Sequence, residues 1–470
     1  MIGNLENKNQ ILQELFDYSD DFSRRHIGPN EYEIAHMLEV LDLPNVDTLI
    51  DQTLPGNIRM DGRLDLPDPT SEKEALAELA ELANQNKIFR SLIGMGYYGT
   101  VTPAVIQRSI LENPAWYTQY TPYQAEISQG RLEALLNFQT MVADLTGLDM
   151  ANSSLLDEAT AAAEAMMVAK RSQKRKSTAN TFFVDSNCHP QTIAVIQTRA
   201  EPLGINVEIG NATSYEPTAD TFGAIVQYPG SDGAIHDFSG LAEKVHAHNG
   251  FMIAATDLLA LTLLKAPGEW GCDMAIGSTQ RFGVPLGFGG PHAAFMSVTD
   301  KIKRNIPGRI IGVSQDRFGK PAMRLALQSR EQHIRRDSAT SNICTAQVLL
   351  AIIASMYAVY HGPVGLTRIA KRVQMMTTML ADGLKAAGYT VTASQLFDTL
   401  VVSGGPKSAD ELLAAAASQE INLRQDLDGS VGLSLDEQTD LTELSALAEL
   451  FGCELAGAIE PDFGALNRES

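Results

Sequence analysis

Apolar residues recur at different densities along this chain, and the pattern changes near residue 95. Before that point the sequence is mostly polar, and only the stretches 30–41 and 71–85 carry apolar residues at helical intervals. Beyond it, the stretches 128–145 and 155–172 show the same intervals with far more alanine, leucine and methionine. This contrast predicts a helical arm over residues 1–95, followed by a body with a real core.

Short apolar runs alternate with helical stretches between residues 181 and 277. Alternation of this kind favours a mainly parallel sheet that is covered by helices on both faces. We therefore predict an α/β large domain over residues 96–365, with a ligand site at the carboxyl ends of its strands. The predicted strands are 181–184, 207–209, 223–228, 251–256 and 274–277, and the predicted helices between them are 192–200 and 239–248.

The last hundred residues have a different pattern. A long helix is predicted from about Gly365 to Ala387, and strand-like and helical segments follow it. These features predict a small α+β carboxy-terminal domain over residues 366–470. Its strand-like segments are 389–393, 398–403 and 429–436, and its helical segments are 408–418 and 440–450.

The charge balance narrows the classes of partner. The chain has 36 Lys and Arg against 57 Asp and Glu, a formal net charge of −21, which disfavours nucleic acid and anionic membranes as partners. The longest apolar run, 348–360, is shorter than the roughly 20 residues that span a bilayer, so it predicts a buried core helix. The start of the chain lacks the pattern of a secretion signal, so a cytoplasmic location is expected. The histidines and scattered cysteines lack metal-ligand spacing, so no metal site is predicted.

Several long segments are distinctive enough to be compared with a known family. They lie at Arg24–Pro29, Met95–Gln139, Ser153–Met166, Gly277–Phe295 and Ser329–Gln347. Together they closely resemble the amino-terminal half of the P-protein family of the glycine cleavage system, and the resemblance covers nearly the whole chain. It implies that the large domain has the type I fold of pyridoxal phosphate enzymes, the aspartate aminotransferase fold. It also implies decarboxylation of glycine, with transfer of the aminomethyl group to the lipoyl arm of the H-protein.

The resemblance assigns roles to two residues that follow strands. Asp257 matches the Asp that pairs with the cofactor's pyridine nitrogen, although capping of the following turn is the alternative. Gln280 lies in Thr279–Phe282 (TQRF), where the family's cofactor-bearing half has the lysine of HKTF. An amide has no nucleophilic amine, so this chain is expected not to bind pyridoxal phosphate covalently. Lys265 lies only 265 − 257 = 8 residues beyond Asp257 and is a poor substitute.

Dimers of this fold build each site with loops from the partner subunit, so the resemblance directs attention to the loops of this chain. The first candidate is the loop 97–103, which is rich in hydroxyl groups and glycine. Its Tyr97, Tyr98, Thr100 and Thr102 are predicted to be catalytic residues that face the partner's site. The alternative is a structural aromatic turn.

A second candidate is the segment 116–129. Tyr117, Tyr120, Tyr123 and Gln129 lie close together there, next to proline. Such a concentration of tyrosine hydroxyls favours an interface or a substrate channel over a plain core.

A third candidate is the loop 335–342. Its Thr340, Ser341 and Asn342 are predicted to contact the partner's pyridoxal phosphate, because hydroxyl and backbone donors at a helix start suit a phosphate. The alternative is that Thr340 or Ser341 acts as the N-cap of the long apolar helix.

The place where a cofactor would lie in this chain's own fold, here called the pseudo-site, is expected to be vestigial. His189 lies about where a ring-stacking residue would be, and a polar structural role is favoured for it. The segment 154–160 takes the position of a phosphate cup, where Asp157 and Glu158 would repel a phosphate. The cofactor is therefore expected to be held by a lysine-bearing second half or subunit.

Three hypotheses about function stay open at this point. The leading one is a lysine-less half of glycine decarboxylase, inactive alone, whose partners are the lysine-bearing half, glycine and the H-protein. The second is a non-catalytic scaffold or regulatory subunit that stabilises the catalytic half or docks the H-protein. The third is a diverged enzyme that holds its cofactor non-covalently, which Gln280 disfavours.

Overall fold

The computed structural model places helices and strands at most of the positions where the sequence pattern predicts them. It describes residues 26, 28–60, 62, 64–67, 70–117, 122, 124–287, 289, 292–328, 332–339, 341–343, 346–426 and 428–468. The chain separates into two units, Met1–Ile88 and Phe89–Ser470. The predicted three-part division into arm, large domain and small domain stays a prediction.

Helices in the first unit begin at side-chain caps. The helices are α1 (Glu31–Val40), α2 (Val46–Thr53) and α3 (Glu72–Asn84). Asn30 and Ser71 open α1 and α3 with capping boxes, in which the cap side chain and a glutamate three residues later exchange hydrogen bonds with backbone N–H groups. No residue of these three helices is buried. The two predicted helical stretches of the arm are confirmed.

The second unit is built on a sheet that has seven strands among the described residues, in the order β2-β8-β7-β6-β5-β3-β4. Strands β4, β3, β5, β6 and β7 are parallel neighbours. Strand β8 pairs antiparallel with β7, and β2 pairs antiparallel with β8. The sheet was predicted to end with β7. That prediction is wrong, because β8 adds a further buried strand on the far side of β7. The strands are β2 (Met150–Ala151), β3 (Thr181–Asp185), β4 (Asn206–Gly210), β5 (Thr221–Tyr228), β6 (Phe251–Thr256), β7 (Met274–Ser278) and β8 (Ala294–Val298).

Helices cover both faces of this sheet, as the alternating pattern predicts. The helices α4 (Gln129–Thr146) and α7 (Ser239–Ala247) contribute to the core on one face. The helices α5 (Glu158–Ser172) and α6 (Pro190–Ala200) contribute to the core on the other. Along β6, successive residues belong alternately to the two cores. This alternation follows from the two-residue period of a strand.

The helix α8 (Val348–Ala386) consists of two helices that meet at a kink. Gly362 has φ 63° and ψ 176°, outside the helical region, and Pro363 follows it. The first half packs in the core beside α4, and the second half packs in the core of the carboxy-terminal sheet. The helices predicted at 348–360 and from Gly365 are therefore confirmed as its two halves. By length and composition the helix could cross a membrane, a test that the core helix of a globular protein also passes.

The carboxy-terminal region forms a second sheet in the order β11-β12-β15-β14. Its elements are β11 (Tyr389–Val391), β12 (Thr399–Gly404), β14 (Arg424–Gln425) and β15 (Val431–Ser434), with the helices α9 (Ala409–Ser418) and α10 (Leu441–Phe451) packed in the same core. Strand β1 (Arg90–Ser91) pairs in parallel with β13 (Ile421–Asn422), so a segment that precedes the large sheet joins this region. The hairpin β9 (Ile311–Gln315) and β10 (Pro321–Leu325) stands apart from both sheets.

Candidate functional site at the carboxyl end of the central sheet

Asp257 follows β6 and uses its two carboxylate oxygens differently. One oxygen accepts a hydrogen bond of 2.8 Å from the backbone N–H of Leu259, which caps the next turn. The other oxygen forms an ion pair with the guanidinium of Arg281. The capping bond that the sequence analysis gave as the alternative is therefore present, and the cation that Asp257 contacts belongs to the chain itself.

Gln280 follows β7 and is completely buried. Its amide nitrogen donates to the carbonyl oxygens of Tyr98 and Val284, each at 2.8 Å. Its amide oxygen accepts from the backbone N–H of Tyr98 at 3.0 Å. The residue at the lysine position therefore works as a structural cross-link that ties the loop 97–103 to the end of β7.

Arg281 is the residue of this site that the sequence analysis missed. It is 5% exposed, and its guanidinium lies between the carboxylates of Asp257 and Asp398, at 2.7 Å from the latter. It also lies 3.8 Å from the centre of the Tyr98 ring, a cation–π contact. Burial by itself lowers the pKa of Arg281, but the two carboxylates outweigh burial and raise it, so the side chain is always charged. The sequence around Arg281 carries no local signal for this role, because its two carboxylate partners lie 24 and 117 residues away along the chain.

The backbone of the loop 97–103 is held by two acidic residues from the carboxy-terminal region. The N–H of Gly99 donates to Asp436 at 2.6 Å. The N–H of Val101 and the hydroxyl of Thr100 both donate to Glu437 at 2.8 Å. These bonds fix the conformation of the loop from inside the molecule.

The four predicted catalytic side chains of this loop lie in different environments. The hydroxyls of Thr100 and Thr102 point into the fold, where Thr102 donates to the carbonyl of Gly283 at 2.8 Å. The ring of Tyr98 packs against Arg281. Tyr97, by contrast, is 45% exposed. The geometry brings the four residues together on one loop. Tyr97 has the most exposed side chain of the four, and its ring also contacts the ring of His292 edge-on at 4.6 Å.

The phosphate-cup segment is occupied by acidic side chains. Asp157 caps α5 by accepting from the N–H of Thr160 at 2.9 Å. Glu158 is the first residue of α5 and accepts from the side-chain amide of Gln227 at 3.3 Å. Burial raises the pKa of Glu158 to about 7, although the hydrogen bond from Gln227 opposes the shift.

His189 lies beside Glu158 in the same pocket. Its Nδ1 is 2.6 Å from the hydroxyl of Ser231, and its Nε2 is 3.9 Å from the Glu158 carboxylate. Burial lowers the pKa of His189 to about 3, so the imidazole is neutral at physiological pH and the contact with Glu158 is a polar contact between an uncharged ring and a carboxyl group. These contacts place His189 in the pseudo-site in the polar surroundings that the sequence analysis favoured for it.

The other predicted loops are only partly described. Ser341 accepts from the N–H of Ile343 at 3.1 Å, and Asn342 is exposed. The helix α8 begins at Val348 with Gln347 as its N-cap residue, so the prediction that Ser341 caps it is wrong. Ser341 lies 348 − 341 = 7 residues before the first residue of the helix, too far to bond the free N–H groups of the first turn. Thr340 lies outside the described residues, and so do Tyr120 and Tyr123 of the second candidate segment.

Two residues of that second segment have contrasting surroundings. Tyr117 is exposed. Gln129 donates to the carbonyls of Ala125 and Met323, and it accepts from the N–H of Met323 at 2.9 Å. Gln129 therefore fixes β10 against the start of α4.

The space between these side chains is too small for the cofactor that the fold implies. A cavity of about 30 Å³ lies between residues that include Glu158, His189 and Arg281. A neighbouring cavity of about 180 Å³ is lined by residues that include Tyr97, Glu158 and His292. Each of the two cavities is smaller than the roughly 300 to 1,000 Å³ of a usual ligand pocket. Pyridoxal phosphate does not fit these residues, because Gln280 offers no amine, Arg281 already pairs with Asp257, and Glu158 lies at the start of α5.

Comparisons with known proteins agree with this architecture. The family described as "Glycine cleavage system P-protein" matches residues 24–451. A glycine dehydrogenase (decarboxylating) from Nostoc punctiforme is 56% identical over 95% of this chain, a match that covers 45% of the relative. The chain thus spans about half the length of the curated relatives it matches.

Solved structures show the same fold. A glycine decarboxylase (P-protein) of the glycine cleavage system, in inhibitor-bound form, has a TM-score of 0.81 and 32% identity, over 91% of this chain and 99% of that chain. An aspartate aminotransferase from Thermus thermophilus has a TM-score of 0.51 and 15% identity, over 77% of this chain and 97% of that chain, and shows the fold alone. The predicted type I fold of pyridoxal phosphate enzymes is therefore confirmed. The family match over most of the chain and the 32% identical structure show that this chain belongs to the P-protein family of the glycine cleavage system.

Proposed function

We propose that this chain is the lysine-less half of a glycine decarboxylase. It pairs with a lysine-bearing half, and together they decarboxylate glycine and transfer the aminomethyl group to the lipoyl arm of the H-protein. The observation that carries the proposal is Gln280, whose amide replaces the Schiff-base lysine and is bonded at both ends inside the fold. The half-length match to glycine dehydrogenase (decarboxylating) supports a second part of similar size.

The partner half holds pyridoxal phosphate in this proposal. The cofactor supplies an electron sink for the carbanion that decarboxylation generates. This chain contributes loops. The loop 97–103 is the strongest of them, because Gln280, Asp436 and Glu437 hold its backbone while Tyr97 faces outward. A preorganised loop can position a side chain precisely at a neighbouring site.

Within that loop, the proposed roles follow from the geometry. Tyr97 is the residue that reaches toward the partner's site, and Tyr98, Thr100 and Thr102 keep it in place through their contacts inside the fold. Ser341 and Asn342, together with Thr340, are proposed to contact the partner's cofactor phosphate. We also propose a cytoplasmic location.

The test is reconstitution. The purified chain is titrated with pyridoxal phosphate, alone and with the lysine-bearing half, and glycine–bicarbonate exchange is measured. We expect exchange only in the pair, and borohydride should attach the cofactor only to the partner half. Borohydride-trapped cofactor on this chain when it is alone would contradict the proposal.

The scaffold hypothesis has one observation in its favour. The hydroxyls of Thr100 and Thr102 are engaged inside the fold, so fewer catalytic groups of the loop are free to act. Tyr97→Phe separates the two hypotheses in the reconstituted pair. A catalytic role predicts a lower kcat with unchanged pair affinity, and a scaffold role predicts unchanged kcat. Val101→Ala, at a neighbouring exposed residue with no polar group, is the matched control.

A further inference from the structure

We propose that this half excludes pyridoxal phosphate because its own Arg281 and Glu158 occupy the two ends of the pseudo-site, so that the missing lysine is only part of the cause. Arg281 takes the carboxylate that a pyridinium would need, and Glu158 takes the helix start that a phosphate would need. This explanation rests on the proposed function in one respect, that this chain does not hold the cofactor, and it adds the residues that cause the exclusion.

At the end of the pseudo-site where a pyridinium would bind, Arg281 is held firmly by its neighbours. The guanidinium of Arg281 is shared between Asp257 and Asp398, and the ring of Tyr98 covers it at 3.8 Å. Asp398 is itself buried, and its other oxygen accepts from Thr399 at 2.8 Å. A pyridinium that displaced Arg281 would take over Asp257 and leave Asp398 as a buried charge without a cation, which is strongly unfavourable.

At the other end of the pseudo-site, where a phosphate would bind, carboxyl groups lie at the start of α5. The N-terminus of a helix attracts a phosphate through its free N–H groups and its dipole. At α5 the N–H of Thr160 is already bonded to Asp157, and Glu158 lies beside Gln227 and His189. A phosphate at this place would meet two acidic side chains and a neutral imidazole, so it would be repelled and would gain no compensating cation from His189.

Because Arg281 and Glu158 occupy both ends of the pseudo-site, a lysine at position 280 should not be enough to restore binding of pyridoxal phosphate. The experiment compares the variant Gln280→Lys with the triple variant Glu158→Ser, Gln280→Lys, Arg281→Thr. Each is titrated with pyridoxal phosphate, treated with borohydride and analysed by intact mass. We expect the triple variant to bind about one cofactor per chain, and we expect Gln280→Lys to bind at least tenfold more weakly. Equal uptake by the two variants contradicts the proposal, and so does a folded triple variant that takes up no cofactor.

A second measurement keeps the inference testable if the triple variant does not fold. Arg281→Ala leaves a cavity between Asp257 and Asp398 that is large enough for a guanidinium ion. Millimolar methylguanidinium should therefore raise its Tm by several degrees, while neutral methylurea should not. The wild-type chain and Arg108→Ala, which removes an exposed arginine, are the controls. The same small shift for Arg281→Ala and its controls would overturn the role of Arg281.

Discussion

The loop 97–103 has an inner side, whose polar groups are hydrogen-bonded, and an outer side, whose side chains are exposed to solvent. Inside, polar groups are matched with partners: Gln280 bonds Tyr98, Glu437 bonds Val101, and Asp436 bonds Gly99. Outside, the side chains of Tyr97 and Val101 are 45% and 52% exposed. The difference teaches that the polar groups on the inner side of the loop serve the fold, whereas the outer side leaves two side chains accessible to solvent.

Among the changes that test this difference, Arg281→Ala is expected to lower the free energy of unfolding most. The change leaves the buried Asp398 and the partly buried Asp257 without their cation, and breaking a buried pair destabilises proteins by about 3 to 5 kcal/mol. Urea unfolding at pH 7.5 measures the loss. Arg108→Ala, in an exposed ion pair, should change the free energy of unfolding by less than about 1 kcal/mol. A loss of similar size in both variants would mean that the inner side is not held by its charges.

The next effect is a pH dependence that arises from Glu158. Its pKa in the folded chain is about 7, raised by burial from an ordinary value of 4.5. A raised carboxyl pKa favours the protonated folded form, so the contribution of Glu158 is greatest below pH 4.5 and is lost as the pH rises to about 7. Relative to wild type, Glu158→Gln should therefore become more stable by about 2 to 3 kcal/mol between pH 5 and pH 8.

Unfolding curves at several pH values measure this change. The matched control is Glu164→Gln, because Glu164 is also buried in α5 but pairs with Arg199. A flat difference for Glu158→Gln would show that the pocket does not raise the pKa of this carboxyl group.

A smaller effect is expected from Gln280→Ala. The change removes the bonds to Tyr98 and Val284 and leaves buried backbone groups without partners, a loss of about 2 kcal/mol. Thermal unfolding measures it, and Gln419→Ala, at an exposed residue after α9, is the control. If the two variants have the same Tm, Gln280 does not hold the loop.

The smallest change in stability is expected on the outer side, from Tyr97→Phe. Loss of one hydroxyl from an exposed side chain should change the free energy of unfolding by less than about 0.5 kcal/mol. The same variant should lower exchange in the reconstituted pair, so stability and activity are measured on one preparation. A large loss of stability would place Tyr97 with the inner residues and remove the contrast between the two sides.

Local sequence was sufficient for most of the large sheet. The strand Phe251–Thr256 was predicted with its observed bounds, and its neighbours were placed within a few residues. A buried parallel strand is a continuous apolar run, which is visible without knowledge of its neighbours. The antiparallel strand Ala294–Val298 was missed because it follows a glycine-rich segment and has no helix before it.

The candidate site was predicted only in part. Asp257 and Gln280 were found through the family pattern, and the structure places both at the carboxyl end of the central sheet. Arg281 was overlooked, although it is the residue that closes the pocket. A single arginine after a strand has no local signature, because its partners are 24 and 117 residues away along the chain.

By itself, the sequence determined most of the helices, the parallel core of the large sheet, the family and the absence of an amine at Gln280. Each of these depends on residue type or on spacing within a few turns of the chain. The tertiary structure alone decided that Arg281 pairs with Asp257 and Asp398, that β1 joins β13, and that Tyr97 faces outward while Thr100 and Thr102 face inward. Burial and ion pairing depend on distance in space, and the fold brings together residues that the sequence keeps far apart.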